Sequence, residues 1–101
     1  MSCVSQEGVK GFDHGRVSIG TAAAQVIAAA TQAYKGIQVK AGASNAGTVY
    51  IGKSDVTAGG TAATDGYPLA AGEELFVPTD NPSTVYAIAS QAAQDLFFTY
   101  A

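Results

Sequence analysis

The feature that most constrains the fold is a series of short segments in which apolar and polar residues alternate. Residues 37–41 read IQVKA, the period of two expected of a strand with one buried and one wet face. Residues 14–19 alternate in the same way. Residues 48–52, 84–90 and 95–100 are rich in β-branched and aromatic residues, which favour strands. The chain is therefore predicted to be built from short β-strands.

Turn-forming residues separate these segments and set the predicted architecture. Seven or eight short strands at intervals of roughly 8–12 residues are typical of an antiparallel β-sandwich or barrel. The turn sequence at residues 44–47 reads SNAG, so the strands on either side are predicted to pair as a hairpin, with Val49 and Ile51 on the core face. Residues 1–13 lack a period and are predicted to be an extended N-terminal arm, and residues 14–101 the sandwich domain.

One alanine-rich stretch does not fit either periodicity. Residues 22–33 have high helix propensity, yet the only large apolar residues there, Val26 and Ile27, are adjacent and make no helical stripe. We favour a short strand at about residues 25–28, and leave open whether the rest of the stretch is helix or loop.

Composition limits the functions that the chain can perform. Hydrophobic residues make up 48% of the 101 residues and charged residues only 13%, against roughly 25% in an ordinary soluble domain. Part of the surface must therefore be uncharged, and such surfaces usually meet a partner. The net charge is −3, and the five basic residues are spread singly, so binding of nucleic acid has no electrostatic basis. No apolar stretch reaches the 18 residues of a membrane span. The N-terminal residues have no basic region followed by an apolar run, so we do not expect them to be a signal peptide, and we expect a soluble protein made in a cytoplasm.

Residues able to carry chemistry are few. The chain has a single cysteine, Cys3, and a single histidine, His14, so neither an intrachain disulfide nor the usual zinc set can form. No serine lies in a nucleophile-elbow context. Glu73 and Glu74 are adjacent, so in a strand they point to opposite faces and cannot share a proton. The sequence predicts no enzyme activity, no metal site and no cofactor.

Six short motifs follow one another from residue 35 onward: KGIQVKA, NAGTVYIG, SDVT, GYPL, GEEL and NPSTVYAIAS. Their order resembles that in a class of small structural proteins of tailed-phage virions. Each motif alone is generic for β-sandwiches; their order and spacing carry the resemblance, which covers about two thirds of the chain. The motifs lie at residues 35–41, 45–52, 54–57, 66–69, 72–75 and 81–90.

The resemblance implies a jelly-roll-like sandwich that binds the outer surface of a phage capsid as a cement, or decoration, protein. It also implies the partners: the major capsid protein and further copies of the chain, as a homotrimer, on the virion surface after synthesis in the host cytoplasm. Related sandwiches occur as head-fibre bases and tail-associated receptor-binding modules, which is the alternative. The candidate residues for the capsid or oligomer interface are Val4, Val9, Phe12, Tyr67 and Phe97.

Overall fold

The structure is a computed structural model that describes residues 13–27 and 35–100. Within these residues the chain forms short strands joined by loops, with a single turn of 3₁₀ helix at Pro82–Thr84. The strands are β1 (Asp13–Ile19), β2 (Ala24–Gln25), β3 (Ile37–Ala41), β4 (Val49–Gly52), β5 (Tyr67–Leu69), β6 (Glu74–Val77), β7 (Tyr86–Ala89) and β8 (Gln94–Tyr100).

The strands are arranged in two antiparallel four-stranded sheets. The first sheet has the order β1-β8-β3-β6 and the second has the order β2-β7-β4-β5. Strand 1 thus pairs with strand 8, 2 with 7, 3 with 6 and 4 with 5. A ribbon of four such pairs wrapped into two facing sheets is a jelly roll. The predicted all-β sandwich is confirmed, and its topology is that of a jelly roll.

The predicted hairpin between residues 37–41 and 48–52 is wrong. β3 pairs with β6 and β8, whereas β4 pairs with β5 and β7, so the turn between them carries the chain from one sheet to the other. In a jelly roll most consecutive strands change sheet, and here only β4 and β5 follow one another within the same sheet. A loop rich in Asn and Gly makes either connection equally well, because it supplies a reversal and not a pairing partner.

The core lies between the two sheets and is built by the predicted alternation. The inward residues of β3 and β4 are buried, and Val49 and Ile51 meet the same cluster as Ile37 and Val39, as expected. Burying an aliphatic side chain of this size contributes about 1.5–3 kcal/mol each. The buried core residues are Ile19, Val26, Ile37, Val39, Ala41, Val49, Ile51, Leu69, Val85, Ala87, Ala89 and Leu96.

The alanine-rich stretch is described only in part. Its first residues form the two-residue strand β2, Ala24–Gln25, and Val26 continues it by donating its N–H to the carbonyl oxygen of Val85 at 3.0 Å. The observed strand thus begins at Ala24, one residue before the predicted start at about residue 25. Residues 28–34 lie outside the described residues, as does the predicted arm up to residue 12.

Candidate interaction surfaces

The outward residues of the first sheet form a mixed surface that we call the charged face. Directly opposed residues of an antiparallel pair point to the same side of the sheet, so the strand register places Arg16, Phe97, Lys40 and Glu74 in one row across the four strands. The next row is His14, Thr99, Gln38 and Phe76. Arg16 donates to a carboxylate oxygen of Asp95 at 2.8 Å, and Gln38 donates to Glu74 at 2.8 Å.

A shallow depression of about 370 Å³ lies on the charged face beside Phe97. Its walls include Lys40, Gln38 and Glu74, and Gly15 and Phe98 line it as well. Phe97 keeps 46% of its surface exposed. The ring and the depression beside it are therefore available to a partner, and Phe98 lines the depression as well as the charged Lys40 and Glu74.

The outward residues of the second sheet form a different surface, which we call the tyrosine face. The register places Ile88, Tyr50 and Pro68 in one row, and Gln25, Tyr86 and Gly52 in the next. None of these six residues is charged, and all but Pro68 are partly shielded by their neighbours. The two outer faces of the sandwich thus differ sharply in charge.

The loop after β4 closes one end of the tyrosine face. Val56 is 3% exposed, and one of its methyl groups packs against Gly52 and Gly66. A Cβ atom would lie only 2.7 Å from this methyl group if added to Gly52, and 2.6 Å if added to Gly66. Both glycines are thus required by close packing. Lys53 and Asp55 are exposed next to Val56, so these charged side chains lie at the margin of the tyrosine face.

Asp65 holds the same loop together through its carboxylate. One oxygen accepts from the Thr57 hydroxyl at 2.7 Å, and the other accepts from the N–H groups of Thr61 and Ala62, both at 2.8 Å. These bonds, the Thr57 hydroxyl first, lower the pKa of Asp65 because they favour the charged form. The carboxylate therefore orders the loop, as loop aspartates commonly do by accepting hydrogen bonds from their own turns.

The sequence-predicted interface residues are not brought together. Phe97 lies on the charged face, and Tyr67, 58% exposed, lies on the edge strand β5. Tyr67 stands between two depressions of about 360 and 300 Å³, one beside Lys53 and Asp55 and the other beside Glu73 and Glu74. Val4, Val9 and Phe12 lie outside the described residues. Their part in an interface remains a prediction.

Sequence reasoning missed one exposed aromatic residue and the whole tyrosine face. Phe76 is 48% exposed on β6, and the alternation with its inward neighbours Leu75 and Val77 would have placed it outward. Tyr50 and Ile88 become neighbours only through the β4·β7 register. No local signal in the sequence reveals that pairing.

Groups that could hold a metal or act as a nucleophile are not clustered in the described part of the chain. Residues 13–27 and 35–100 contain no group of three or more histidine, cysteine, aspartate or glutamate side chains placed to hold a metal ion. His14 is exposed on β1, and Asp13 accepts its backbone N–H at 2.8 Å. The same residues contain no helix long and apolar enough to cross a membrane.

The fold and surfaces define an all-β jelly-roll domain with one charged and one uncharged outer face. Comparison with known proteins adds no relative: no protein family, no curated protein and no solved structure matches the chain.

Proposed function

We propose that the protein is a structural component of a virion, which binds the outer surface of a phage capsid and stabilises it as a cement protein. The observation that carries the proposal is that three large aromatic side chains within residues 13–27 and 35–100, Tyr67, Phe76 and Phe97, are each about half exposed. Aromatic residues are enriched at protein interfaces. A cement protein must contact several neighbours at once, and these positions lie on more than one side of the sandwich.

Two further arguments support the proposal. The ordered motifs of the sequence resemble small virion proteins, and jelly rolls occur among viral capsid proteins, although they also occur in lectins and cupins. Fold alone does not assign a function. The proposed mechanism involves no chemical reaction. Copies of the chain, as a homotrimer, bridge neighbouring capsid subunits and bury surface that is otherwise exposed to solvent. Because the trimer binds through several equivalent contacts at once, weak single contacts give strong overall binding.

The alternative is a receptor-binding module on a head fibre or tail, and one observation favours it. Tyr67 stands exposed between two depressions lined by polar and charged side chains, an arrangement that could stack against a sugar ring and bond its hydroxyl groups. The other exposed aromatic residues in the described part of the chain, Phe76 and Phe97, lie in the other sheet, so we rank this function second.

The test uses the purified protein and expanded, empty shells assembled from the major capsid protein of the virus that carries this chain. We expect stoichiometric retention on the shells after sedimentation, and a higher temperature of shell disruption. Light scattering on the free protein should give the mass of a trimer. Failure to bind the shells, combined with binding to glycans, would favour the receptor-binding alternative instead.

A further inference from the structure

The depression on the charged face places an exposed aromatic ring beside a lysine. Phe97 is 46% exposed and directly opposes Lys40 across β8 and β3, so the Cβ atoms of the two residues lie about 5 Å apart. Glu74 opposes Lys40 on the next strand, but its carboxylate accepts from Gln38 at 2.8 Å, and the described part of the chain contains no salt bridge to Lys40. A matching occupant therefore presents an apolar side chain next to a carboxylate.

The residues that precede β1 contain such a pair. Residues 1–12 have one acidic residue, Glu7, and Val9 follows two positions later. Residues two apart in an extended chain point to the same side and lie about 7 Å apart. Val9 can thus enter the depression against Phe97 while Glu7 meets the flexible side chain of Lys40.

The distance from the end of this segment to the depression decides which copy supplies it. Asp13 opposes Tyr100, so Phe97 lies one strand across and three residues further along the sheet. A chain layered on a sheet lies about 10 Å above it, which puts Val9 about 15 Å from Asp13 when it occupies the depression. Four residues span about 13 Å when fully extended, and the chain would also have to reverse its direction. The segment of the same copy is therefore too short.

We infer that residues 1–12 of one copy dock on the charged face of a neighbouring copy, with Val9 against Phe97 and Glu7 beside Lys40. The segment can extend to about 40 Å, twice the roughly 19 Å width of a four-stranded sheet, so it can cross the neighbour's face. Each copy supplies one segment and accepts one, and such a head-to-tail contact can close into a ring. The inference rests on the homotrimer of the proposed function and names the surfaces through which the copies meet.

The first test compares two exposed aromatic residues in the full chain, without shells. Phe97→Ala removes the ring from the depression, and Tyr67→Ala removes an exposed ring from the other sheet as the matched control. Self-association is measured by sedimentation velocity over a range of concentrations, and folding by circular dichroism. We expect Phe97→Ala to weaken self-association at least about tenfold, and Tyr67→Ala to leave it within about twofold. Equal effects of the two substitutions would overturn the inference.

Charge reversal gives a second measurement that does not depend on Phe97→Ala folding. Glu7→Lys and Lys40→Glu each bring like charges together, and each should weaken self-association about fivefold. The double variant should restore it. An equal mixture of the two single variants should restore part of it, because the segment of each variant then meets the opposite charge on the other. A mixture that associates no better than either variant alone would contradict docking between copies.

The free protein separates this inference from the proposed function. A wild type that stays monomeric at every concentration would overturn the docking of the segment on a neighbouring copy, whatever the shells show. A wild type that self-associates as described but does not bind shells would leave the docking supported and the proposed function refuted.

Discussion

The side chain of Asn45 ties the loop between the sheets to the first residues of β8, and its removal gives a quantitative test of the structure. Its amide nitrogen donates to the carbonyl oxygen of Asp95 at 2.8 Å, and its amide oxygen accepts the Asp95 N–H at 2.8 Å. These two hydrogen bonds take the place of those that a neighbouring strand would make to Asp95, at the position where β3 has ended. The Asp95 carbonyl oxygen has a second donor, the Gly42 N–H at 3.0 Å, so the Asp95 N–H is the group for which Asn45 matters most.

We expect Asn45→Ala to lower the free energy of unfolding by about 1–3 kcal/mol, because it leaves a partly buried N–H without a partner. In a domain of this size that corresponds to a fall in midpoint temperature of roughly 5–15 °C. The measurement is thermal and urea unfolding followed by circular dichroism. Ser44→Ala, an exposed neighbour in the same loop, is the control and should change stability by less than about 0.5 kcal/mol. Equal stability of the two variants would refute the assigned role of Asn45.

Three further predictions concern backbone conformation and pH. Gly36 has a φ of +147° and a Cβ there would collide with the carbonyl oxygen of Val77, so Gly36→Ala should lower the free energy of unfolding by more than about 2 kcal/mol. Gly20 has open space around it, so Gly20→Ala should lower the free energy of unfolding far less in the same urea titration. Ala93 has a φ of 59°, so Ala93→Gly should raise stability by up to about 1 kcal/mol, and an unchanged or lower midpoint would contradict this. The lowered pKa of Asp65 means that its contribution is present above the usual carboxyl pKa of about 3.9 and is lost as the pH falls through the lower folded value. As the pH falls through that value, the protection of the Thr61 and Ala62 amides against hydrogen exchange, relative to the intrinsic rate at each pH, should decrease in the wild type and show no such pH step in Asp65→Asn.

The inward residues of the strands could be predicted because alternation is a local property. A strand that buries one face must place every second side chain inward, so the sequence at residues 37–41 and 48–52 was enough to assign Ile37, Val39, Val49 and Ile51 to the core. The same reasoning applies to Phe76, which lies outward because its two neighbours lie inward.

Strand pairing could not be predicted, because it depends on contacts between residues far apart in the chain. The turn after β3 has the composition of a hairpin turn, yet β3 pairs with β6 and β8. Whether such a turn joins two paired strands or carries the chain to the other sheet depends on the fold of the whole chain. The tyrosine face depends on the same long-range register, since Tyr50 and Ile88 are adjacent in space and distant in sequence. The sequence therefore allowed single interface residues such as Phe97 and Tyr67 to be predicted, but not the surfaces that the folded strands form.

The central claim is that this jelly roll is a virion component that binds the outer surface of a capsid. The most direct test is a cryo-electron microscopy reconstruction of expanded shells incubated with the purified protein. We predict additional density on the outer surface of the shell, into which the sandwich fits with its exposed aromatic side chains, Tyr67, Phe76 and Phe97, against the shell or a neighbouring copy of the chain. Shells without additional density would contradict the proposed function.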